Sequence, residues 1–259
     1  MKLKKKLILL ATIILLGGSL ILLSAQDQDT EKAEDQKKGL VVNTDGRVKK
    51  KTVAAADWVN AEKNTPVNSG DHVKTYKRSR AELELLQLDI IRMAPETTID
   101  IVKLYEETKD KAQETKINLK QGDIWAKLSK KNTTMKFNIS TPVAGAAITG
   151  TVLRMKVNSD STTQLNVYSG EVRLSNVPEK TNITPKEIIG KPHEVPGPYE
   201  VSGPIEVSLD EWVYIVKSMQ KIVIGNNGQV QSMGSFSKQD EDEQSEWVKW
   251  NLERDKLVR

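Results

Sequence analysis

From Leu40 onward the chain falls into short runs in which apolar and polar residues alternate, separated by glycine, asparagine and aspartate. Val73-Lys74-Thr75-Tyr76, Ala81 to Leu88, Ile99-Asp100-Ile101, Ile117-Asn118-Leu119, Phe137-Asn138-Ile139, Leu153 to Val157 and Leu165-Asn166-Val167 read as strands. Gly70-Asp71, Gly122-Asp123, Asn158-Ser159-Asp160 and Ser169-Gly170 read as the turns between them. One stretch, Tyr105 to Lys116, fits a short helix instead. The pattern predicts an all-β domain over residues 40–176.

The flanks differ. Leu7 to Leu23 is an unbroken uncharged, mostly apolar run behind Lys2, Lys4, Lys5 and Lys6, the layout of a signal anchor or a signal peptide over residues 1–25. Its 17 residues exceed a usual signal-peptide core and fall short of the roughly 20 that span a bilayer, so both readings stay open. Either one keeps the lysines inside and exports everything after Ala25. Residues 26–39 read as a polar tether. Six prolines between Pro178 and Pro204 mark residues 177–207 as a proline-rich linker. Residues 208–259 read as a mixed extension: β-like runs at Val213 to Val216 and Lys221 to Ile224, a tight turn at Asn226-Asn227-Gly228, and a short final helix from Glu246 to Asp255. On that helix Trp247 and Trp250 share a face, which is expected to dock onto the β domain.

A repeat runs through the β region. Gly70-Asp71-His72-Val73, Gly122-Asp123-Ile124-Trp125 and Gly170-Glu171-Val172-Arg173 each place an acid after glycine and an apolar strand after the acid, with Asp45-Gly46-Arg47-Val48 a weaker relative. The glycines are spaced near one and two units of about 25 residues, a period that solenoids use. A β-solenoid-like coil is therefore the expected architecture, with hairpins of a sandwich as the other source of such spacing.

Charge narrows the function. The formal charge of +4 comes from 39 Lys and Arg against 35 Asp and Glu, and the four N-terminal lysines account for all of the excess. The exported part is neutral, so no nucleic-acid partner is expected. The absence of cysteine rules out thiol nucleophiles, thiolate metal sites and lipoprotein processing, and in an exported chain of this size it suggests a bacterial envelope.

Candidate chemistry is sparse, and no catalytic, cofactor-binding or metal-ligating residue is predicted. The two histidines, His72 and His193, lie far apart in sequence, and either would need an acid beside it in space to act as a base. Gly145 to Thr151 has the small residues of a phosphate-binding loop but lacks its lysine, and reads as a close-packed turn. Asp240 to Glu243 lacks calcium-loop spacing and reads as a solvated acidic face. Trp125 reads as core, whereas Trp58, Trp212, Trp247 and Trp250 could either seal a core or form stacking platforms for a glycan.

Six pieces in order resemble a FecR-type domain: Gly70-Asp71-His72-Val73-Lys74-Thr75, Ser79 to Leu85, Ile91 to Thr97, Leu119 to Trp125, Phe137 to Ala144, and Gly150-Thr151 followed by Val167 to Val172. Thr149 stands where the family usually has arginine, Leu153 where it has phenylalanine, and Gln87-Leu88-Asp89-Ile90 replaces its usual Asp-Gly hairpin. The resemblance implies a β-solenoid-like, non-enzymatic module that recognises a protein partner in the envelope. Its best-known members sit between an outer-membrane receptor and a cytoplasmic sigma factor, which they hold through an N-terminal segment. With six residues ahead of the apolar run, no such segment is expected here. The expectation is a scaffold or interaction module in the periplasm, anchored in the inner membrane through residues 7–23 or released by cleavage. Carbohydrate or cell-wall binding through exposed tryptophans is the alternative. No cofactor is implied.

Overall fold

The computed structural model describes residues 38–85, 89–109, 112–129, 135–177 and 213–257. The apolar run at 7–23, the tether through residue 37, the proline-rich stretch from 178, His193 and Trp212 lie outside the described residues. Among the described residues no helix is long and apolar enough to cross a membrane.

Among the described residues seventeen strands form in chain order: β1 Gly39–Asp45, β2 Val48–Lys51, β3 Val59–Asn60, β4 Pro66–Val67, β5 His72–Thr75, β6 Arg80–Glu84, β7 Ile90–Met93, β8 Thr98–Glu107, β9 Gln113–Lys127, β10 Met135–Ser140, β11 Gly145–Ile148, β12 Val152–Val157, β13 Thr163–Ser169, β14 Glu171–Ser175, β15 Val213–Lys217, β16 Gln220–Ile224 and β17 Val230–Ser235. A 3-10 turn at Glu241–Gln244 and the helix α1, Glu246–Leu257, complete the chain.

Two sheets result. The front sheet runs β4-β1-β6-β7-β9-β12-β13-β16-β17, antiparallel throughout. The back sheet runs β3-β2-β5-β8-β9-β10-β11-β14-β15. Strand β9 belongs to both: Gln113–Gln121 pairs in the back sheet and Gly122–Lys127 in the front. The fold is a meander of long ribbons, each folded over at its middle so that one half lies in each sheet. The core fills the space between, with Leu83, Ile91, Ile124, Met155 and Val167 from the front sheet against Val73, Ile99, Ile117, Ile139 and Val172 from the back.

Each fold-over among the described residues has a residue in the left-handed region: Gly46, Asn64, Gly70, Arg78, Glu96, Gly122, Gly150, Gly170 and Met219 all have positive φ. A bend breaks the sheet ladder and strands backbone groups that must still be bonded. Hydroxyls of neighbouring bends take them. Arg47 N donates to Ser79 Oγ (2.8 Å), Asp123 N donates to Thr97 Oγ1 (3.0 Å), and Thr151 Oγ1 donates to Glu171 O (3.0 Å).

The expected solenoid is therefore corrected in its geometry. Stacked coils of a parallel solenoid would pair in parallel, whereas here only β9–β10 does so among the described pairings. All four repeat glycines lie where the chain passes from one sheet to the other, Gly70 between β4 and β5. Tyr105 to Lys116 is not a helix but the end of the β8–β9 hairpin, closed by Thr108 N to Ala112 O (2.7 Å) and tied across by Lys103 Nζ to Glu114 Oε2 (2.8 Å). The expected strands are present, that at Ala81 to Leu88 as β6 to Glu84 with residues 86–88 outside the described ones, and the Asn226-Asn227-Gly228 turn joins β16 to β17. Strands β15 and β16 continue the back and front sheets beside β14 and β13, so the last segment completes both layers.

Two predictions test this architecture. At Gly122, with φ of +96°, an added Cβ would sit 2.5 Å from Thr97 Cα. Gly122→Ala is expected to cost about 2 kcal/mol or more in urea unfolding, through both strain and overlap. At the β6–β7 hairpin, burial pushes the Asp89 carboxyl up to about 6, although Ser129 N donates to it (2.6 Å). A folded value above the unfolded one means that stability is full at low pH and falls as pH rises toward 6. Asp89→Asn, which keeps the acceptor, is expected to raise stability by about 2 kcal/mol at pH 7.5 and to leave it unchanged at pH 3.5.

Candidate interaction surface

The outward face of the front sheet carries a row that strand alternation would normally give to water. Glu82, Arg92, Trp125, Arg154 and Asn166 stand opposite one another in register across β6, β7, β9, β12 and β13. All five are buried, Arg92 and Trp125 completely. What buries them is the segment after β17: the 3-10 turn and α1 lie along the row as a strap.

The contacts are mostly polar. Arg92 Nε donates to Glu82 Oε2 and Arg92 Nη1 to Asp255 Oδ1, both at 2.6 Å. Arg254 Nε donates to the same Glu82 oxygen (2.6 Å), and Trp125 Nε1 to Asp255 Oδ2 (3.0 Å). Toward the other end Arg154 forks onto Asp123 (2.7 and 2.9 Å) and reaches Asp242 Oδ2 with Nη1 (2.9 Å). Glu243 accepts from Asn166 Nδ2 (2.8 Å) and from the Tyr168 hydroxyl (2.6 Å). Tyr168 also lies against Trp125, with ring centroids 4.4 Å apart.

Burial would raise the Glu82 carboxyl, but the hydrogen bonds and charges of Arg254 and Arg92 outweigh it and hold the group below its ordinary value. At Asp123 and Glu243 burial wins, and both carboxyls lie above theirs despite Arg154. Burial and the Glu243 hydrogen bond together raise the Tyr168 hydroxyl.

Several sequence readings change here. The run Asp240 to Glu243 is not simply a solvated face: Asp242 and Glu243 turn inward onto the sheet, while Asp240 pairs with Lys221 (3.5 Å) and bonds Ser237. Among the described residues no group of His, Asp and Glu could hold a metal ion. Trp247 is buried and spends its indole N–H on Asp123 Oδ1 (3.2 Å), with the Trp250 ring stacked 5.6 Å away. Around Trp250 stand the guanidinium groups of Arg80, Arg92 and Arg254, at 5.4, 5.8 and 5.5 Å. These two rings dock the helix as expected, Trp247 buried and Trp250 half-buried. Trp125 is buried, beneath the strap and outside the cluster between the sheets.

His72 does meet an acid: its Nδ1 lies 2.6 Å from Asp100 Oδ1, on the outward face of the back sheet, and Lys120 shares that carboxylate at 3.1 Å. Gly145 to Thr151 is strand β11 and the bend into β12. Two acids of the repeat serve the structure, Asp71 holding the buried Lys50 ammonium (3.0 Å) as Asp123 holds Arg154, whereas Glu171 is exposed. Sequence reasoning missed the strap row. Its signal was the placement of Glu82, Arg92, Arg154 and Asn166 at matching positions of successive strands.

One experiment tests the row. Arg92→Leu leaves Glu82 and Asp255 each short of a buried cation, and is expected to cost about 3 kcal/mol and to speed amide exchange across residues 246–257 at least tenfold at pH 7. In the native chain the strap is expected to hold at pH 5, because the Glu82 contribution is full above the ordinary glutamate value and is lost only as pH falls through its depressed folded value. Unchanged exchange in Arg92→Leu would contradict the assignment.

Residues 71–173 match the family described as FecR protein, from the turn before β5 into β14. Two crystal structures of a candidate anti-sigma factor from Parabacteroides distasonis, at 1.65 and 2.50 Å resolution, superpose with a TM-score of 0.44 at 12% identity. Each superposition covers 65% of this chain and 61% of that one. No curated protein matches the sequence. The ribbons from β5 to β14 are thus the part of this chain that matches the FecR protein family.

Proposed function

We propose that the chain is a non-enzymatic FecR-type interaction module, exposed in the bacterial envelope, that recognises a protein partner as part of a transmembrane signalling system. The FecR match over residues 71–173 carries this reading. Residues 7–23 hold it at the inner membrane, or deliver it to the periplasm if they are cleaved. The folded-over ribbons provide a rigid support, and side chains at its surface do the recognition. Exposed apolar residues near β3, Val53 and Val59, offer contact points outside the strap.

Two measurements in the producing bacterium test the reading. Alkaline phosphatase fused after Arg259 is expected to be active, which requires export. A photo-crosslinking residue placed at Val53, Val59 or Leu257 is expected to yield a discrete adduct with one envelope protein. An inactive fusion, or no protein adduct from any of the three positions, would overturn it.

A further inference from the structure

Two concavities flank the folded edge at Tyr76–Arg80 and Pro95–Thr97. One, of about 470 Å³, is lined by Arg47, Lys74, Tyr76, Lys77, Glu96 and Gln121. The other, of about 580 Å³, is lined by Asp45, Lys77, Arg78, Arg80, Pro95 and Glu96. Because they share Lys77 and Glu96, they form one trough across the edge. Five cations face it against two carboxylates.

None of those five cations makes an ion pair among the described residues, whereas Lys50, Arg92, Lys103, Lys120, Arg154, Lys221 and Arg254 all do. Three are held by aromatic rings instead. The Arg47 guanidinium lies 3.7 Å from the Tyr76 ring centroid, the Lys74 ammonium 5.3 Å from the same ring, and Arg80 lies 5.4 Å from Trp250. A ring positions a cation without neutralising it, so the charge stays available to a ligand.

Backbone strain points to the same place. Of the four fold-overs along the trough, Gly46 and Gly122 use glycine, but the two between them use Arg78 (φ +52°) and Glu96 (φ +55°). A side chain in that region costs roughly 1 kcal/mol at each position, and such outliers concentrate where side chains serve recognition. Glycine would fold the edge at less cost; it would not place a guanidinium and a carboxylate there.

We propose that this trough binds an acidic peptide segment of a partner protein. The proposal rests on the interaction-module reading and names the surface and the chemistry of its partner. Glu96 in the middle selects the ligand class. It repels a dense run of phosphates or an anionic bilayer, but it accepts backbone N–H groups from a peptide whose spaced carboxylates reach Lys77 and Arg78. Successive fold-overs lie about 4.8 Å apart, so the edge from Arg47 to Gln121 spans roughly 14 Å, the reach of about four extended residues.

The probe is a fluorescein-labelled peptide of alternating glutamate and alanine, followed by anisotropy with the full chain in non-ionic detergent at low salt. Binding is expected, weakening with added salt. The double variant Lys77→Ala, Arg78→Gly is expected to lose at least tenfold in affinity while its melting temperature holds or rises, because glycine relieves the left-handed position. Lys256→Ala, a cation on the far end of α1, is expected to bind as the native chain does. Sodium tripolyphosphate is expected to displace the peptide no better than sodium chloride of equal ionic strength. Vesicles of phosphatidylglycerol are expected to sediment the double variant as well as the native chain. No peptide binding, equal binding by the double variant, stronger displacement by tripolyphosphate, or a vesicle defect in the variant would each overturn the proposal. If the photo-crosslinked adduct persists at full yield in the double variant, the module reading stands and the trough assignment falls. If no adduct forms in the native chain, the module reading falls while peptide binding still decides the trough.

Discussion

The constraint on which this molecule depends is the need to fold each β-ribbon in half without stranding its backbone polar groups. A strand crossing between sheets breaks its ladder, and every N–H or C=O lost there costs on the order of a hydrogen bond if it stays buried and unpaired. The solution repeats at each edge. One residue turns into the left-handed region, and a Ser or Thr from the neighbouring bend takes the orphaned group, as Ser79 does for Arg47 and Thr97 for Asp123. Both the two-layer core and the two outward faces follow from it, because folding fixes which side of each half-strand faces in.

The same folding explains why an ionic row can be buried. The front face lies on the outside of a fold-over, and its polar row would be solvated if nothing lay upon it. The strap turns the row into an interior without making it apolar. Replacing water over Arg92 and Arg154 demands carboxylates at fixed positions, and Glu82, Asp255, Asp123 and Asp242 supply them. Such ionic networks add little net stability compared with an apolar contact, but they penalise misregistered docking heavily, since any shift leaves a charge unpaired. The strap is therefore held in one register by what it would lose elsewhere, with Trp247 and Val248 supplying the apolar contact.

Much of the fold was legible in the sequence because strand alternation is local. The seven strand runs, the Asn-Asn-Gly turn and the docking helix needed only neighbouring residues to be read. The glycine recurrence was also real, but spacing alone does not distinguish a coil from a ribbon folded double, because both return to the same edge at similar intervals. Pairing direction separates them, and that is a long-range property. The bends at Arg78 and Glu96 were invisible for a related reason: nothing in Lys-Arg-Ser or Pro-Glu-Thr announces a left-handed residue, and tertiary structure imposes it. The acidic run after Gln239 looked solvated because its partners, Arg154, Gln164, Asn166 and Tyr168, lie far back in the chain. Tyr105 to Lys116 lacked alternation because ladder irregularities in β8 interrupt it.

Net charge shows the limit of composition most clearly. Beyond its lysine-rich start the chain is formally neutral, and that neutrality argued against a polyanion such as nucleic acid. It did not argue against a charged surface, because neutrality says nothing about who is paired with whom. In the folded chain many carboxylates are committed to internal partners: Glu82 to two arginines, Asp123 to one, Asp71 to Lys50, Glu114 to Lys103. Five cations that no carboxylate holds among the described residues then stand together at the folded edge, where aromatic rings hold three of them in place. A neutral chain can thus present a local positive field, and its strength is set by the pairing pattern. That pattern was fixed when the ribbons folded over, because the bends decide which charges face a neighbour and which face the solvent.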